Sequence, residues 1–383
     1  MDELLYLDTA ATTPVRREVL ETMWPYLTGE FGNPSSHHQL GERAAHAVQG
    51  ARATIAEQLG CRPSELVFTS GGTEADNLAI KGISLGAPRG RHLVTSAIEH
   101  EAVHESADYL RRLHGFEVTV LPVDRDGLVD PAALAAALRP DTTLVSIQHA
   151  NNEIGTVQPI RELAAVARDA GVPFHTDAVQ SAGALEVGLA SLGVDAVSIA
   201  GHKLGAPKGI GALAVRGSIV LEPLLHGGGQ ERGRRSGTEN VAGAVGLATA
   251  LALASLERSH GARLVEARDM LIDGVLARVP GAILTGSRHE RLPGNASFCF
   301  PGTSGEAVLL ELEGRGIVCS SGSACAAGSD DPSPVLLALG IAPEVAQTAV
   351  RFTLPAGMSR VQVSEVVDRV VEAVSAVGGL RTA

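Results

Sequence analysis

Short apolar runs alternate with amphipathic stretches along the first two thirds of the chain. The apolar runs are four or five residues long, whereas the segments between them carry the three-to-four-residue spacing of helices. This alternation predicts a mostly parallel sheet that is covered by helices on both faces. The predicted strands here are residues 65–69, 92–95, 143–147, 172–175 and 196–199, and predicted helices include residues 73–82, 131–138 and 161–170.

The pattern changes in the last third of the chain. A long helical pattern covers residues 240–278, and strands such as 296–300 and helices such as 305–313 follow Pro280. We predict a domain boundary near residue 258, with a large domain of residues 15–257 and a small α+β domain formed by residues 1–14 and 258–383. The fold class is therefore α/β, with a mostly parallel central sheet and a smaller C-terminal domain.

Composition narrows the class of protein. Hydrophobic residues make up 45% of the 383 residues, enough for a large core, and the formal charge of −12 argues against direct nucleic-acid binding. Four cysteines without CxxC spacing predict neither a disulfide framework nor a zinc site. The acidic N-terminus has no signal-peptide pattern, and the apolar run 241–255 is too short to span a bilayer. We expect a cytoplasmic enzyme without a membrane partner.

A glycine-containing turn follows the first predicted strand of the sheet. Thr69 ends the strand, two glycines follow, and a helix is predicted to open at Thr73. Because helix N-termini present free N–H groups and partial positive charge, such a turn suits a phosphate. The alternative is an ordinary strand–helix turn in which Thr73 only caps the helix.

An acid and a lysine stand at the ends of two later strands. A buried charge on Asp177 at a strand end costs free energy unless a cation or ligand contacts it. A helix N-cap is an equally good alternative role for this residue. We expect Lys203 to be partly desolvated and nucleophilic, whereas Lys208 reads equally well as a solvated lysine. A phosphate turn, an acid and a lysine together predict a pyridoxal 5′-phosphate (PLP) site.

Cys325 lies in a run of small and polar residues, 320–334, that has neither helical nor strand periodicity. The run predicts a mobile loop, an unusual place for a packing cysteine because free cysteines are usually buried. The thiol is therefore either a nucleophile or an idle loop cysteine. Cys319 is predicted to pack at the end of a strand.

Three further patterns carry alternatives. His100 and His104 match an HExxH zinc motif, but the match directly follows a predicted strand, and we predict no metal site. The basic run 231–238 is either an exposed turn or an anion-binding loop. Arg351 lies in a predicted strand, where it either faces solvent or binds a substrate carboxylate.

These motifs resemble those of the IscS/NifS-type cysteine desulfurases, PLP-dependent enzymes of the class-V aminotransferase group with the type I transferase fold. The resemblance runs in order from about residue 5 to residue 375. The long loop at residues 320–334 is similar to that of the group members with an extended catalytic segment. The matching stretches are residues 6–8, 11–14, 31–34, 69–74, 151–155, 201–203, 235–238 and 320–325.

The resemblance implies roles for the cofactor-binding residues. Lys203 would bind PLP covalently, His100 would stack on its ring and assist proton transfer, and Asp177 would keep the ring nitrogen protonated. Gln180 would bond the phenolic oxygen. The phosphate would be held by Gly72, Thr73 and His202, with Thr238 contributed by the neighbouring subunit of a homodimer. Ala200 departs from the family pattern, which has a serine there, and lacks the hydroxyl that would bond the phosphate.

The resemblance also implies the reaction. Asn152 and Arg351 would bind the carboxylate of L-cysteine, and Cys325 would take its sulfur as a persulfide, leaving L-alanine. The sulfur would pass to an acceptor or scaffold protein for iron–sulfur cluster assembly or for tRNA or DNA thiolation, and Cys325 is also a candidate transient ligand of a cluster. The alternatives are a selenocysteine lyase, another class-V enzyme, or a catalytically quiet scaffold for sulfur-acceptor proteins.

Overall fold

The protein is described here from a computed structural model, whose described residues are 4–321 and 331–380. The strands are β1 (Leu5–Tyr6), β2 (Leu66–Thr69), β3 (His92–Ser96), β4 (Glu117–Leu121), β5 (Thr142–Ser146), β6 (Phe174–Asp177), β7 (Ala196–Ala200), β8 (Gly211–Val215), β9 (Ile283–Leu284), β10 (Asn295–Cys299), β11 (Ile317–Val318), β12 (Ser320–Ser321) and β13 (Ala349–Thr353).

Fourteen α-helices lie within the described residues. They are α1 (Arg17–Thr28), α2 (Gln39–Gln58), α3 (Gly72–Asn77), α4 (Ile83–Gly86), α5 (Glu101–His114), α6 (Pro131–Ala137), α7 (Ile160–Asp169), α8 (Leu189–Leu192), α9 (Val241–Glu257), α10 (Gly261–Arg278), α11 (Gly305–Gly314), α12 (Pro334–Ala338), α13 (Pro343–Ala346) and α14 (Arg360–Leu380). A π-helical turn, Leu78–Gly82, joins α3 to α4.

The central sheet has seven strands in the order β2-β8-β7-β6-β5-β3-β4. All neighbouring pairs among β7, β6, β5, β3 and β4 are parallel, whereas β8 runs antiparallel to both β2 and β7. The predicted α/β class with a mostly parallel sheet is confirmed. Because β2, β6 and β7 run in the same direction, their carboxyl ends lie at one edge of the sheet, where ligands bind in open α/β folds.

The prediction from sequence was incomplete at several elements. It omitted strands β4 and β8, and it started the helix after β2 at Thr73, whereas that helix, α3, begins at Gly72. The predicted helix over residues 240–278 is two helices, α9 and α10, bent by 75° at a short turn. Because of this bend, α9 packs into one hydrophobic core and α10 packs into another.

A second, antiparallel sheet lies in the last third of the chain, with strand order β12-β13-β10-β9. Its hydrophobic core draws on α10, α11 and α14 and also includes Leu7 from the N-terminal segment. Strand β1 pairs in parallel with β11, which joins the N-terminal segment to the last third of the chain. This packing supports the proposed division into residues 15–257 and residues 1–14 with 258–383, which stays a proposal.

No single helix among residues 4–321 and 331–380 is long and apolar enough to cross a membrane. The bent pair α9 and α10 passes the same test of length and composition only when its two helices are taken together.

Candidate active site

A cavity of about 230 Å³ opens at the edge of the central sheet where β6 and β7 end. It brings together ten residues that the sequence analysis selected: Gly72, Thr73, His100, Asn152, Asp177, Gln180, Ala200, His202, Lys203 and Arg351. It is also lined by residues to which the sequence analysis assigned no role: Ala10, Ala11, Asp76, Gln148, Ala150 and Val179. Residues drawn from seven separate regions of the chain thus share one pocket.

Asp177 is the last residue of β6 and is 8% exposed. The backbone N–H of Val179 donates to its Oδ1 at 2.8 Å. Burial raises the pKa of this carboxyl, while the Val179 N–H and the positive charges at His100 and Lys203 oppose the rise. No α-helix begins directly after Asp177, so the alternative of a helix N-cap is wrong. The carboxyl of Asp177 therefore lies at the cavity, and the neighbouring N–H group and positive charges stabilise its ionised form.

Lys203 lies in the short 3-10 turn that follows β7. Its Nζ donates to the backbone carbonyl of Ala10 and, at 2.8 Å, to that of Ala11. The Nε2 of Gln180 donates to the same Ala10 carbonyl at 3.0 Å. The N-terminal segment therefore holds the amine of Lys203 against the cavity. Lys208 is exposed and does not line this cavity, which supports the assignment of Lys203 as the reactive lysine.

The start of helix α3 faces the end of β7. An added Cβ on Gly72 would lie 2.7 Å from Val179 Cγ2 and 3.3 Å from the Cβ of Ala200, so only glycine fits. His202 contributes its ring beside this turn, and its Nδ1 lies 3.2 Å from Thr12 Oγ1. Burial, followed by the nearby positive charges of Lys203 and Lys208, lowers the pKa of His202 to about 4. A neutral imidazole and free helix N–H groups suit a phosphate.

His100 is the N-cap of helix α5, and its Nδ1 accepts a hydrogen bond from the Ala102 N–H at 3.0 Å. Because Nδ1 is an acceptor, the ring is fixed in orientation at the cavity wall. His104 lies inside the helix, and burial lowers its pKa. No cluster of metal-ligating side chains occurs in the described part of the chain, so the HExxH motif has no third partner there.

Arg351 is 1% exposed although it lies in the middle of strand β13. Its guanidinium donates to Asp8 Oδ1 at 2.7 Å and to the carbonyl of Asn152 at 2.9 Å. The Nε of Arg351 is buried and has no hydrogen-bond partner among the described residues. The solvent-facing alternative is therefore wrong, and a donor remains available to an anionic ligand in the cavity.

Thr238 is exposed and does not line the cavity. The loop that precedes it is held by a buried ion pair, Arg52 to Glu231 at 2.6 Å, and Glu231 adopts a positive φ of 50°. Arg235 in the same loop donates to Glu74 of helix α3 at 2.8 Å. The basic run is thus a fixed loop attached to the predicted phosphate turn and not a freely exposed turn.

Cys325 lies outside the described residues, in 322–330. The residues on both sides of this gap are attached next to the cavity. Ser320 is paired with Arg351 between strands β12 and β13, and Ser333 Oγ donates to Glu153 Oε2 at 2.5 Å. The described chain therefore approaches and leaves the gap beside Arg351 and beside the residue that follows Asn152.

The sequence analysis missed the role of the N-terminal segment and of Asp76. Residues 6–8 and 11–14 were noted as motif matches, but no contact was assigned to them. The signal for Asp8 was an acid in an apolar strand-like stretch, and the signal for Asp76 was an acid one turn into the helix that opens at the phosphate turn. Neither signal separates a solvated carboxylate from a buried one.

Comparisons with known proteins agree with this geometry. The class-V aminotransferase family model matches residues 5–366. Cysteine desulfurase IscS from Dictyoglomus turgidum (strain DSM 6724 / Z-1310) is 49% identical over 356 residues, 92% of this chain and 90% of the relative. A solved NifS-like protein has a TM-score of 0.90 at 36% identity and covers 97% of this chain and 99% of its own. A structure described as SspA in complex with cysteine has a TM-score of 0.80 at 38% identity, over 92% and 99% of the two chains.

The residues present fit PLP. The cavity offers an amine at Lys203, a carboxyl at Asp177 for a ring nitrogen, and a glycine-opened helix start at Gly72. The absence of a Cβ at Gly72 keeps the backbone N–H groups accessible, since any side chain there would collide with Val179. The donor set therefore matches the covalent, ring and phosphate contacts that this cofactor requires.

Replacing Ala200 by serine is expected to tighten cofactor binding. Ala200 is 1% exposed and its Cβ faces the start of α3, so a hydroxyl there would point toward the phosphate position. A hydrogen bond to a charged group contributes about 1.5–3 kcal/mol, which corresponds to about tenfold or more in affinity. Ala200→Ser should slow cofactor loss during dialysis against a competing amine and leave the sulfur-transfer rate nearly unchanged. Equal loss rates in the two proteins would mean that another donor already fills this place.

Proposed function

Because the chain belongs to the class-V aminotransferase family and is a PLP-dependent cysteine desulfurase, we propose that Lys203 binds the cofactor and that Cys325 receives the sulfur of L-cysteine. The observation that carries the proposal is the meeting of Lys203, Asp177 and Arg351 in one cavity of about 230 Å³. These three groups provide a covalent anchor, a partner for the ring nitrogen and a site for an amino-acid carboxylate.

The cofactor contacts divide among the residues of the cavity wall. PLP supplies an electron sink that eases the loss of the substrate α-proton. Asp177 would stabilise a positive charge on the ring nitrogen, and Gln180 would bond the phenolic oxygen. Gly72, Thr73 and His202 would hold the phosphate. His100, whose ring is oriented by its Nδ1 contact, would move a proton beside the cofactor.

Arg351 and Asn152 orient the substrate. Two nitrogens of the Arg351 guanidinium are bound to Asp8 and to the Asn152 carbonyl, and this fixes the plane of the guanidinium. The buried Nε, which has no partner in the described structure, is the donor that we assign to the carboxylate of L-cysteine. The side-chain amide of Asn152 lies on the same wall and adds a second polar contact.

The sulfur transfer then proceeds at Cys325. Its thiolate forms a bond to the sulfur atom of L-cysteine, and the carbon–sulfur bond of the substrate breaks. The electron pair of that bond stays with the carbon, which takes up a proton and leaves as L-alanine. The sulfur remains on Cys325 as a persulfide. Ser320 and Ser333 attach the chain on both sides of the gap near Arg351 and Asn152, which supports delivery of the thiol to this cavity.

The experiment that tests the proposal follows the sulfur atom. Holo-protein is mixed with one equivalent of L-cysteine without an acceptor, and the proteolytic peptides are weighed. We expect one equivalent of alanine and a Cys325 peptide that is heavier by one sulfur atom. Sulfur found on the peptide of Cys61, Cys299 or Cys319 would assign the persulfide to another thiol.

The active unit is proposed to be a homodimer. Thr238 is exposed and does not line the cavity of its own subunit, which supports a contribution to the phosphate site of a neighbour. We expect the holo-protein to sediment as a dimer and Thr238→Ala to weaken PLP binding about tenfold, the loss of one charge-assisted hydrogen bond. A fully active monomer at assay concentration would contradict the shared site.

The persulfide is proposed to pass to an acceptor or scaffold protein. Iron–sulfur cluster assembly, tRNA thiolation and DNA thiolation all remain candidate destinations, and a transient cluster contact at Cys325 belongs to the first of these. The acidic charge balance supports a protein acceptor over direct nucleic-acid binding. The cytoplasmic location stays a prediction. The alternatives of a lyase for selenocysteine, another class-V reaction or a quiet scaffold are not favoured by the relatives.

A further inference from the structure

A second buried carboxyl group lies in the wall of the cofactor cavity. Asp76, on helix α3, is 1% exposed and lines the same cavity as Asp177. These two are the buried aspartates among the described residues. The Oδ1 of Asp76 has no hydrogen-bond partner there. A buried carboxylate with an unbonded oxygen is costly, so the group requires either a cation or a proton.

The groups nearest to Asp76 supply no cation. Its carboxyl is hydrogen-bonded to Ser198, and Ser198 Oγ also lies 2.9 Å from His175 Nε2. The other nitrogen of His175, Nδ1, lies 2.9 Å from Ser146 Oγ, so both ring nitrogens have serine partners. His175 Nε2 is 3.7 Å from Asp76 Oδ1, too far for a hydrogen bond. Burial lowers the pKa of His175 to about 3, which keeps the ring neutral.

The two cations that line the same cavity, Lys203 and Arg351, are bound to other groups: Lys203 donates to the carbonyls of Ala10 and Ala11, and Arg351 donates to Asp8 and to the carbonyl of Asn152. Strands β2, β7 and β8, which pack on α3, carry no charged or titratable residue. Glu99 adds a further acid, and Lys81, on the π-helical turn, points to Asn77 and the Tyr109 ring. The remaining titratable neighbours lie on helix α5 or at its N-cap and on strand β6. Those of α5 and its cap are His100, Glu101, His104 and Glu105, and those of β6 are His175 and Asp177.

The two aspartates differ in what stabilises a negative charge. Asp177 accepts a backbone N–H bond from Val179 and is attracted by the charges at His100 and Lys203. Burial is the main cause that raises the pKa of Asp76; repulsion by Asp177 and Glu99 adds to the rise, and the hydrogen bond with Ser198 opposes it. Two carboxyl groups that share one buried site do not both ionise near neutral pH, and the better-solvated one ionises first.

We propose that Asp76 is a positioning residue for Asp177: it holds a proton in the cavity wall, shared toward Ser198, so that Asp177 alone carries the negative charge that meets the cofactor ring. The inference rests on the proposed role of Asp177. It adds the requirement that Asp76 stays protonated, which the contacts of Asp177 alone do not imply. A charged Asp76 would place a second anion in the cofactor cavity and would change the protonation of the bound ring.

Infrared spectroscopy of the wild-type holo-protein tests this directly. Protein labelled with carbon-13 at the aspartate side-chain carboxyl is compared with unlabelled protein at neutral pH, which isolates aspartic from glutamic acid bands. We expect one protonated aspartic acid band, absent from Asp76→Asn and retained in Asp177→Asn. No such band in the wild type would overturn the proposal, as would a band that is lost only in Asp177→Asn.

A spectroscopic titration of the bound cofactor gives the second readout. In the wild type, the cofactor absorption should change as the pH rises and Asp76 loses its proton. Asp76→Asn should lack that change, whereas Glu99→Gln should keep it, although burial raises the pKa of Glu99 to about 8. A change lost only in Glu99→Gln would assign the titration to Glu99 and overturn the proposal. If Asp177→Asn leaves cofactor binding and its spectrum unaltered, the proposed role of Asp177 fails while the infrared band still reports on Asp76.

Discussion

Lys203→Ala is expected to abolish the covalent attachment of the cofactor and to slow cysteine turnover by roughly 10²–10⁴-fold, the range for loss of a positioned acid–base group. The reason is the position of the amine. Lys203 Nζ is held by the carbonyls of Ala10 and Ala11 at the wall of the cavity that also contains Asp177. Lys203 is the one lysine that lines this cavity among residues 4–321 and 331–380. Non-covalent binding should persist, because the ring and phosphate contacts do not involve this side chain.

Lys208→Ala is the matched control for that experiment. Lys208 is five residues further along, exposed, and absent from the cavity wall, so its removal should change turnover by no more than a few-fold. Borohydride reduction of the wild type, followed by peptide mapping, should place the pyridoxyl group on Lys203. An adduct on Lys208, or turnover retained in Lys203→Ala, would contradict the assignment.

The central sheet could be predicted because its buried strands leave a strong signal. Runs such as residues 143–147 are apolar throughout, as expected for strands that are covered on both faces. Strand β8 gave a weaker signal because Gly211 and its alanines have low strand propensity, and β4 lies at the edge of the sheet with mixed exposure. The antiparallel direction of β8 depends on the connection between β7 and β8, and this direction leaves no pattern in the sequence of the strand itself.

The site could be predicted as far as it lies at strand ends. Asp177 ends β6 and Lys203 follows the neighbouring parallel strand β7, so the topology alone brings them together. No such topological rule predicts the contacts of the N-terminal segment. Asp8 meets Arg351 across 343 positions, and this ion pair is what allows a buried arginine in the middle of β13. Long-range pairing of this kind is decided by packing and not by the local sequence.

Cysteine chemistry separates Cys325 from the other three thiols. Burial is the main cause that raises the pKa of Cys61 to about 11 and the pKa values of Cys299 and Cys319 to about 12. Because the thiolate is the nucleophile, these three cysteines are almost wholly unreactive near neutral pH. Cys299 is also fully buried in strand β10. This difference supports the proposal that the nucleophilic thiol is Cys325, which lies outside the described residues.

Cys325→Ser is expected to lower the release of sulfur from L-cysteine at least about a hundredfold, because a serine hydroxyl is far less ionised and less nucleophilic than a thiol. The cofactor spectrum, and its change when L-cysteine is added, should persist, since the hydrogen bonds described for Lys203, Asp177 and Arg351 are made with other residues. Cys319→Ser is the matched control: it is six residues away and should keep both persulfide formation and alanine release. Persulfide retained in Cys325→Ser but lost in Cys319→Ser would mean that the half-buried thiol of Cys319 becomes ionised when substrate binds, and the sulfur acceptor would then be Cys319.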